Sequence, residues 1–289
     1  MPWHRGVVLK SERELGIMQR AGRINGLALL AAYRALKPGA TTAEIDAAAV
    51  EVLEEHGAES AFKDYPGPYP YPAVTTISIN DELVHGIPSD RKLKSGDIVS
   101  VDCGSVVEGF VADSAFTAGV GRVSPEAERL MDVTLSALFN AIDKMRPGNH
   151  SGDVSAATQT TVEEAGFNVV REYTSHGVGR NMHEDPQVPN YGRPGTGLAL
   201  KPGMTIALEP MVLAGQPATR VLKDQWTVAS RDGKLTAHFE HSVAVTEQGP
   251  RVLTALEPQD LDGLDGIRYN QYFAGRLQSA IDSVRGDSR

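Results

Sequence analysis

At 289 residues the chain is long enough for one large domain, or two fused halves, around a sizeable core. Its 28 Lys and Arg against 37 Asp and Glu give a net charge of -9, which argues against general affinity for nucleic acid. The single cysteine, Cys103, excludes an internal disulfide and a cysteine-based zinc finger and suits a reducing cytoplasm; the sequence shows no secretory leader and no run of roughly 18 apolar residues, so no membrane span is expected.

Taken in chain order, residues 11–36 read as a helix, with Ile17, Ala21, Ile24, Ala28, Ala31 and Ala35 on one apolar face, stopped by "KPGA". The basic residues nearby (Arg5, Lys10, Arg13, Arg20, Arg23) read as a solvated face, with docking at the ribosome as the alternative. A second helix starts at Thr41, with Glu44 completing a capping box; Ile45, Ala48 and Val52 are its expected inner face and Gly57 ends it. The Pro- and Tyr-rich loop "DYPGPYPYP" follows, then strands in "AVTTISIN", "IVSVDCG" and "GFVADSAFTAGV". Ser124 and Pro125 open a third helix with Met131, Leu135, Leu138, Ile142 and Met145 as its stripe, and a fourth runs from about Gly152 to Ala165. Beyond it come "FNVVREY", a turn-rich stretch over 174–197, and strands in "MTIALEPMVL", "QWTVAS" and "TAHFEHSVAVT".

The chain repeats itself. "LKPGATTAEIDAAAVEVLEEHGA" aligns with "MRPGNHSGDVSAATQTTVEEAGF", matching Pro38 to Pro147, Gly39 to Gly148 and Gly57 to Gly166. "SGDIVSVD" aligns with "PGMTIALE", matching Asp102 to Glu209. Each half therefore reads helix, helix, strands, with an acid at the matching place.

Asp102 and Asp113 lie in strand-like runs on either side of "VVEG", the turn of a hairpin. They face each other if Val106 pairs with Gly109, and are diagonal neighbours if the turn centres on Glu108–Gly109. Both registers put them on one face. Opposed like charges destabilise a sheet, so the pair must share a proton, lie in open water or hold a cation. Glu209 and Glu240 lie in apolar runs where a carboxylate is costly without a partner, and His176 lies in the glycine-rich "SHGVGR". Four carboxylates and one imidazole from both halves suit Mn, Fe, Co or Zn in a two-cation centre.

The segments "SINDELVHGIPSD", "VSVDCGSVVEGFVADSAFT", "SHGVGRNMHEDPQV", "ALEPM" and "DQWTVASRDGKLTAHFEHSVAVT" resemble type I methionine aminopeptidase over about residues 8–255. The resemblance implies an α+β pita-bread fold: one catalytic domain over 1–255, with halves of about 1–120 and 121–255, and a curved antiparallel sheet backed by helices. Residues 256–289 would be a C-terminal extension, with a helix carrying Tyr272, Leu277, Ile281 and Val284 as its apolar positions.

By motif position the resemblance gives Asp102 to one divalent cation, Asp113 and Glu240 to both, and His176 and Glu209 to the second. It sets His85 beside the scissile amide and His183 beside the amide or its oxyanion, and places Tyr71 and Trp226 in a methionine pocket; to Glu209 we assign a second role as proton shuttle from the water toward the leaving amine. Thr76 stands where some members carry a cysteine next to that pocket. The implied activity is removal of the initiator methionine from nascent proteins with a small second residue, by a cytoplasmic monomer in transient contact with the ribosome.

Two rival readings share the fold. A proline-directed aminopeptidase or prolidase usually carries a further N-terminal domain, and few residues here precede the first helix. A non-catalytic pita-bread binding protein typically loses cation ligands, and all five are present.

Overall fold

The computed structural model describes residues 4–264 and 266–276. The first half holds β1 (His4–Val7), α1 (Glu12–Ala35), α2 (Thr42–Glu55), β2 (Glu59–Ser60), β3 (Thr75–Ile79), β4 (Glu82–Val84), β5 (Ile98–Val107) and β6 (Phe110–Gly119). The second opens with α3 (Pro125–Lys144) and α4 (Ser151–Glu164), followed by β7 (Asn168–Val169), β8 (Thr174–Gly177), β9 (Glu184–Pro189), β10 (Thr205–Leu208) and β11 (Met211–Leu213). It continues through β12 (Thr219–Val221), β13 (Val228–Ser230), β14 (Thr236–His238), β15 (Glu240–Thr246) and β16 (Gly249–Val252), and α5 (Ile267–Phe273) lies in the extension. Leu277, Ile281 and Val284 lie outside the described residues. Among the described residues no helix is long and apolar enough to cross a membrane.

Local chemistry sets the helix starts. The Glu14 amide donates to Ser11 Oγ (3.4 Å) and the Ser11 amide to the Glu14 carboxylate (2.9 Å); Thr41 and Glu44 repeat the exchange at 3.2 and 2.7 Å. Each exchange satisfies two amides that the helix itself leaves unpaired. The buried row of α2 is Ile45, Ala49 and Leu53, whereas Ala48 and Val52 are only half-buried. The helix sits on its straight four-residue row, and the three-residue neighbours fall on its flank. Lys10 also departs from expectation: it is buried, and its Nζ lies 2.6 Å from Glu184 Oε2, tying the start of the chain to β9. Arg20 and Arg23 do lie on the surface, paired with Glu108 and Asp260.

Among the described residues the main sheet has ten strands, with the path β1-β9-β8-β10-β15-β6-β5-β2 and with β16 on β15 and β3 on β5. Val107 pairs with Phe110, so the hairpin turn is Glu108–Gly109, both with positive φ (48° and 74°). Gly104 therefore faces Asp113 while Asp102 faces Ala115, which makes the two aspartates diagonal neighbours. Ala115 also faces Glu240 across the β6–β15 pair. Asp102, Ala115 and Glu240 thus form one row across three strands, with Asp113 on the same face.

The opposite face belongs to the helices. Val101, Cys103 and Phe116 are buried in the core they share with α1 and α3. Asn25, buried on α1, donates to the carbonyls of Cys103 and Ala112, so the helix is pinned to the hairpin that carries both aspartates. No Cβ fits at Gly22, where one would stand 2.1 Å from the Leu253 carbonyl oxygen.

The extension packs into this same core. Tyr272 and Phe273 are each 1% exposed. The Tyr272 ring stacks on His241 (4.5 Å, 10°), and its hydroxyl donates to the Glu240 carbonyl at 3.3 Å. Tyr272→Ala is expected to destabilise the fold by about 3–5 kcal/mol through loss of a large buried ring. Tyr272→Phe, which loses one long hydrogen bond, should cost about 1 kcal/mol. Urea unfolding midpoints check both.

Candidate metal centre

Four elements deliver the acids. Asp102 comes from β5, Asp113 from β6, Glu240 from the first position of β15, and Glu209 from the residue after β10. The expected continuous strands are interrupted here: "MTIALEPMVL" breaks at Glu209–Pro210, and "TAHFEHSVAVT" at Phe239. Proline has no N–H to give a ladder, so the Glu209 segment leaves the sheet, and the Glu209 amide donates instead to Ser175 Oγ (3.0 Å). The turn-rich stretch contains two strands, β8 and β9, with His176 facing Ala207 on β10. "FNVVREY" and "QWTVAS" shorten to Asn168–Val169 and Val228–Ser230.

One cavity of about 360 Å³ is lined by Asp102, Asp113, His176, Glu209 and Glu240. His85, His183, Tyr71, Thr76 and Trp226 line it too, so the ten candidate site residues share this space. Tyr71 and Trp226 meet edge to face (5.2 Å, 82°), and Tyr71 is fixed by donating to the Gly86 carbonyl at 2.8 Å. Gly67 of the same proline-rich loop also lies against the indole, where a Cβ would stand 2.3 Å from the ring.

Burial pushes all four carboxyl groups well above their ordinary range, and each acts on the others. After burial, the next largest cause is Asp113 for Asp102 and Glu209, Glu240 for Asp113, and Asp102 for Glu240. The same desolvation lowers the histidines: His85 and His176 to about 4, His183 to about 2 and His238 to about 3. Every imidazole in the site is therefore neutral at physiological pH. His176 Nδ1 lies 2.9 Å from the Gly177 carbonyl, which can only accept, so Nδ1 carries the hydrogen and Nε2 keeps its lone pair. That Nε2 stands 3.6 Å from Glu209 Oε1 and 3.9 Å from Asp113 Oδ2.

The donor set fits divalent cations. Asp102 Oδ1, Asp113 Oδ1 and Glu240 Oε1 are buried without a hydrogen-bond partner. Two groups bring their donor atoms within 4.8 Å of one another: Asp113, His176 and Glu240, and Asp102, His238 and Glu240. Orphaned carboxylate oxygens converging on neutral imidazoles are what a pair of cations would satisfy.

His238 and Tyr65 were not singled out in the sequence. Tyr65 Oη lies 2.7 Å from His183 Nδ1 and gives no sequence signal. His238 gives one: it precedes Glu240 by two positions, the interval that keeps strand side chains on one face.

Comparison with known proteins agrees with this site. The model of metallopeptidase family M24 matches residues 16–247. The methionine aminopeptidase of Clostridium perfringens (strain 13 / Type A) is 45% identical over 251 residues, covering 87% of this chain and 100% of the relative. Methionine aminopeptidase 1 of Bacillus subtilis (strain 168) is 46% identical, over 86% and 99%. The crystal structure of the Thermotoga maritima methionine aminopeptidase superposes with a TM-score of 0.84 at 43% identity, over 86% and 99%. The chain belongs to metallopeptidase family M24 and, within it, to the methionine aminopeptidases. Its α+β architecture is the pita-bread fold of that family.

The raised carboxyl pKa values set a pH dependence for the chelator-stripped chain. The folded state holds protons that the unfolded state releases in the ordinary carboxylate range, so stability is present below that range and is lost as pH rises through the folded values. The rise in thermal midpoint on adding a divalent cation should therefore be larger at about pH 8 than at about pH 5. Thermal unfolding of stripped and reloaded protein at the two pH values measures the difference.

Proposed function

We propose that this chain removes the initiator methionine from nascent polypeptides, using two divalent cations of the Mn, Fe, Co or Zn class. The observation that carries the reading is a floor of four buried carboxyl groups and an imidazole beneath an aromatic wall, all on one cavity. Asp102 would hold one cation, Asp113 and Glu240 both, and His176 and Glu209 the other. When bound, such cations supply Lewis acidity, lowering the pKa of water and polarising a carbonyl.

The remaining work falls to side chains. Glu209, on the same cavity, would accept a proton from the attacking water and return it to the leaving amine. Tyr65 is in place to donate to His183 Nδ1, which leaves the hydrogen on Nε2 to meet the amide oxygen as it becomes an oxyanion. His85 has a backbone φ of 61° and lines the cavity with its ring 6.5 Å from that of Trp226, where it can orient the substrate amide. Tyr71, Thr76 and Trp226 enclose the methionine side chain, and sulfur against aromatic rings contributes about 0.3–1.5 kcal/mol. A preference for a small second residue belongs to this reading, since about 360 Å³ must hold both the methionine and the scissile amide.

The reading also takes the protein as a cytoplasmic monomer that meets nascent chains near the ribosome, with no nucleic-acid or membrane partner. The buried, unpaired Cys103 and the charge of -9 support that setting.

Chelator-stripped protein should release free methionine from Met-Ala-Ser only after addition of Mn, Fe, Co or Zn, and should leave X-Pro peptides intact. Faster X-Pro cleavage would move the assignment to the proline-directed relatives; no hydrolysis with cation bound would move it to a binding protein. Asp113→Ala should lower turnover by on the order of 10³-fold, the rate equivalent of several kcal/mol of lost charge stabilisation. Trp226→Ala should raise KM for Met-Ala-Ser by roughly tenfold with a smaller change in kcat, as expected for lost side-chain binding. Steady-state kinetics on both variants separates the two effects.

A further inference from the structure

His238 ends β14, one residue before the break that starts β15. Its backbone is fully engaged: the amide donates to Thr117 Oγ1 (2.8 Å), and the carbonyl accepts from the same hydroxyl at 2.8 Å. Its side chain is not. The imidazole is 1% exposed, and among the described residues neither ring nitrogen has a hydrogen-bond partner. Leaving a buried polar group unpaired is costly, so the ring calls for an occupant rather than a solvent contact.

Its surroundings name the occupant. Nε2 stands 3.5 Å from Glu240 Oε2 and 3.8 Å from Glu209 Oε2, too far for hydrogen bonds and close enough to share a cation. Asp102, His238 and Glu240 bring one donor atom each within 4.8 Å of one another, and both carboxylates carry an oxygen buried without a hydrogen-bond partner, Asp102 Oδ1 and Glu240 Oε1. The other cation group, Asp113, His176 and Glu240, has the same composition: two carboxylates, one imidazole, Glu240 shared.

We propose that His238 is a sixth cation ligand, which gives the Asp102 position a nitrogen donor of its own and makes the two halves of the centre alike. The inference rests on the two-cation reading above and deepens it. A nitrogen donor in place of an oxygen donor shifts the preference of this position toward Fe, Co or Zn and away from Mg or Ca.

The test uses the full chain, stripped with a chelator and reloaded with Co(II). Proton NMR of the Co(II) protein should show two hyperfine-shifted, solvent-exchangeable imidazole N–H signals, one from each ligating histidine. His238→Gln should remove one of them and weaken the binding of one Co(II) by at least about tenfold by calorimetry, leaving the other unchanged. His176→Gln should remove the other signal. A single imidazole signal in the unsubstituted protein, or two Co(II) bound by His238→Gln with unchanged affinity and spectrum, overturns the proposal while leaving the two-cation reading intact. Failure of the unsubstituted protein to bind Co(II) at all overturns both. Should His238→Gln not fold, the signal count in the unsubstituted protein decides alone.

Discussion

The structure turns on one electrostatic demand: four carboxyl groups share a buried cavity, and none of them has a neighbouring Lys or Arg within ion-pair distance among the described residues. Burial alone pushes each toward its protonated form, and proximity pushes further. A domain whose net stability is of order 5–15 kcal/mol tolerates such a cluster only if something supplies positive charge or the rest of the fold holds it by force. Strand alternation lets the fold do the holding: Val101 and Cys103 face the helices while Asp102, between them, faces the cavity. The residues that bear the chemical strain and those that supply apolar burial are therefore neighbours on one strand.

Desolvation has opposite consequences for the two donor types, and together they make a coherent site. The acids are driven neutral by gaining protons, and the histidines by losing them. A neutral imidazole offers a lone pair, and a carboxyl group displaced from its ordinary range releases its proton when a cation takes its place. The cavity is thus a low-charge space built to accept concentrated positive charge. His183, also neutral, adds no charge of its own where an imidazolium would repel bound cations.

What the sequence disclosed and what it concealed follow from the range of the interactions involved. The helix starts were legible because caps are local: Ser11 with Glu14 and Thr41 with Glu44 lie within one turn. The acids stood out because carboxylates in apolar runs conflict with their surroundings. The hairpin register was left between two alternatives because either turn keeps Asp102 and Asp113 on one face; Glu108 and Gly109, both at positive φ, decide it. The strands β8 and β9 were hidden in a segment rich in Gly, Pro and Asn, whose local preferences are overridden by pairing to β10 and β1. The inner face of α2 was misplaced by one position because Ala48 and Ala49 are equally apolar, and only the tertiary fit distinguishes them. His238 was passed over although its two-residue spacing from Glu240 in a strand-like run marked it.

The strand that bears Glu240 shows how the two faces of the sheet depend on each other. Glu240 opens β15 toward the cavity, and His241, the next residue, points the other way by strand alternation. There His241 stacks on Tyr272, while its Nε2 donates to the Tyr272 carbonyl at 3.0 Å and its Nδ1 lies 2.8 Å from Thr254 Oγ1. Tyr272 in turn donates to the Glu240 carbonyl. Tyr272 lies past residue 247, where the match to the family model ends, so this chain braces a strand of the shared site with a segment outside the matched region. The brace acts where it has most effect. At its start β15 is paired to β6, where Glu240 faces Ala115, and a stacked ring and three hydrogen bonds behind it further fix the backbone from which Glu240 projects. In the proposed reading, where Glu240 serves both cations, that backbone has to be held closely in place, and these supports are already made in the folded core.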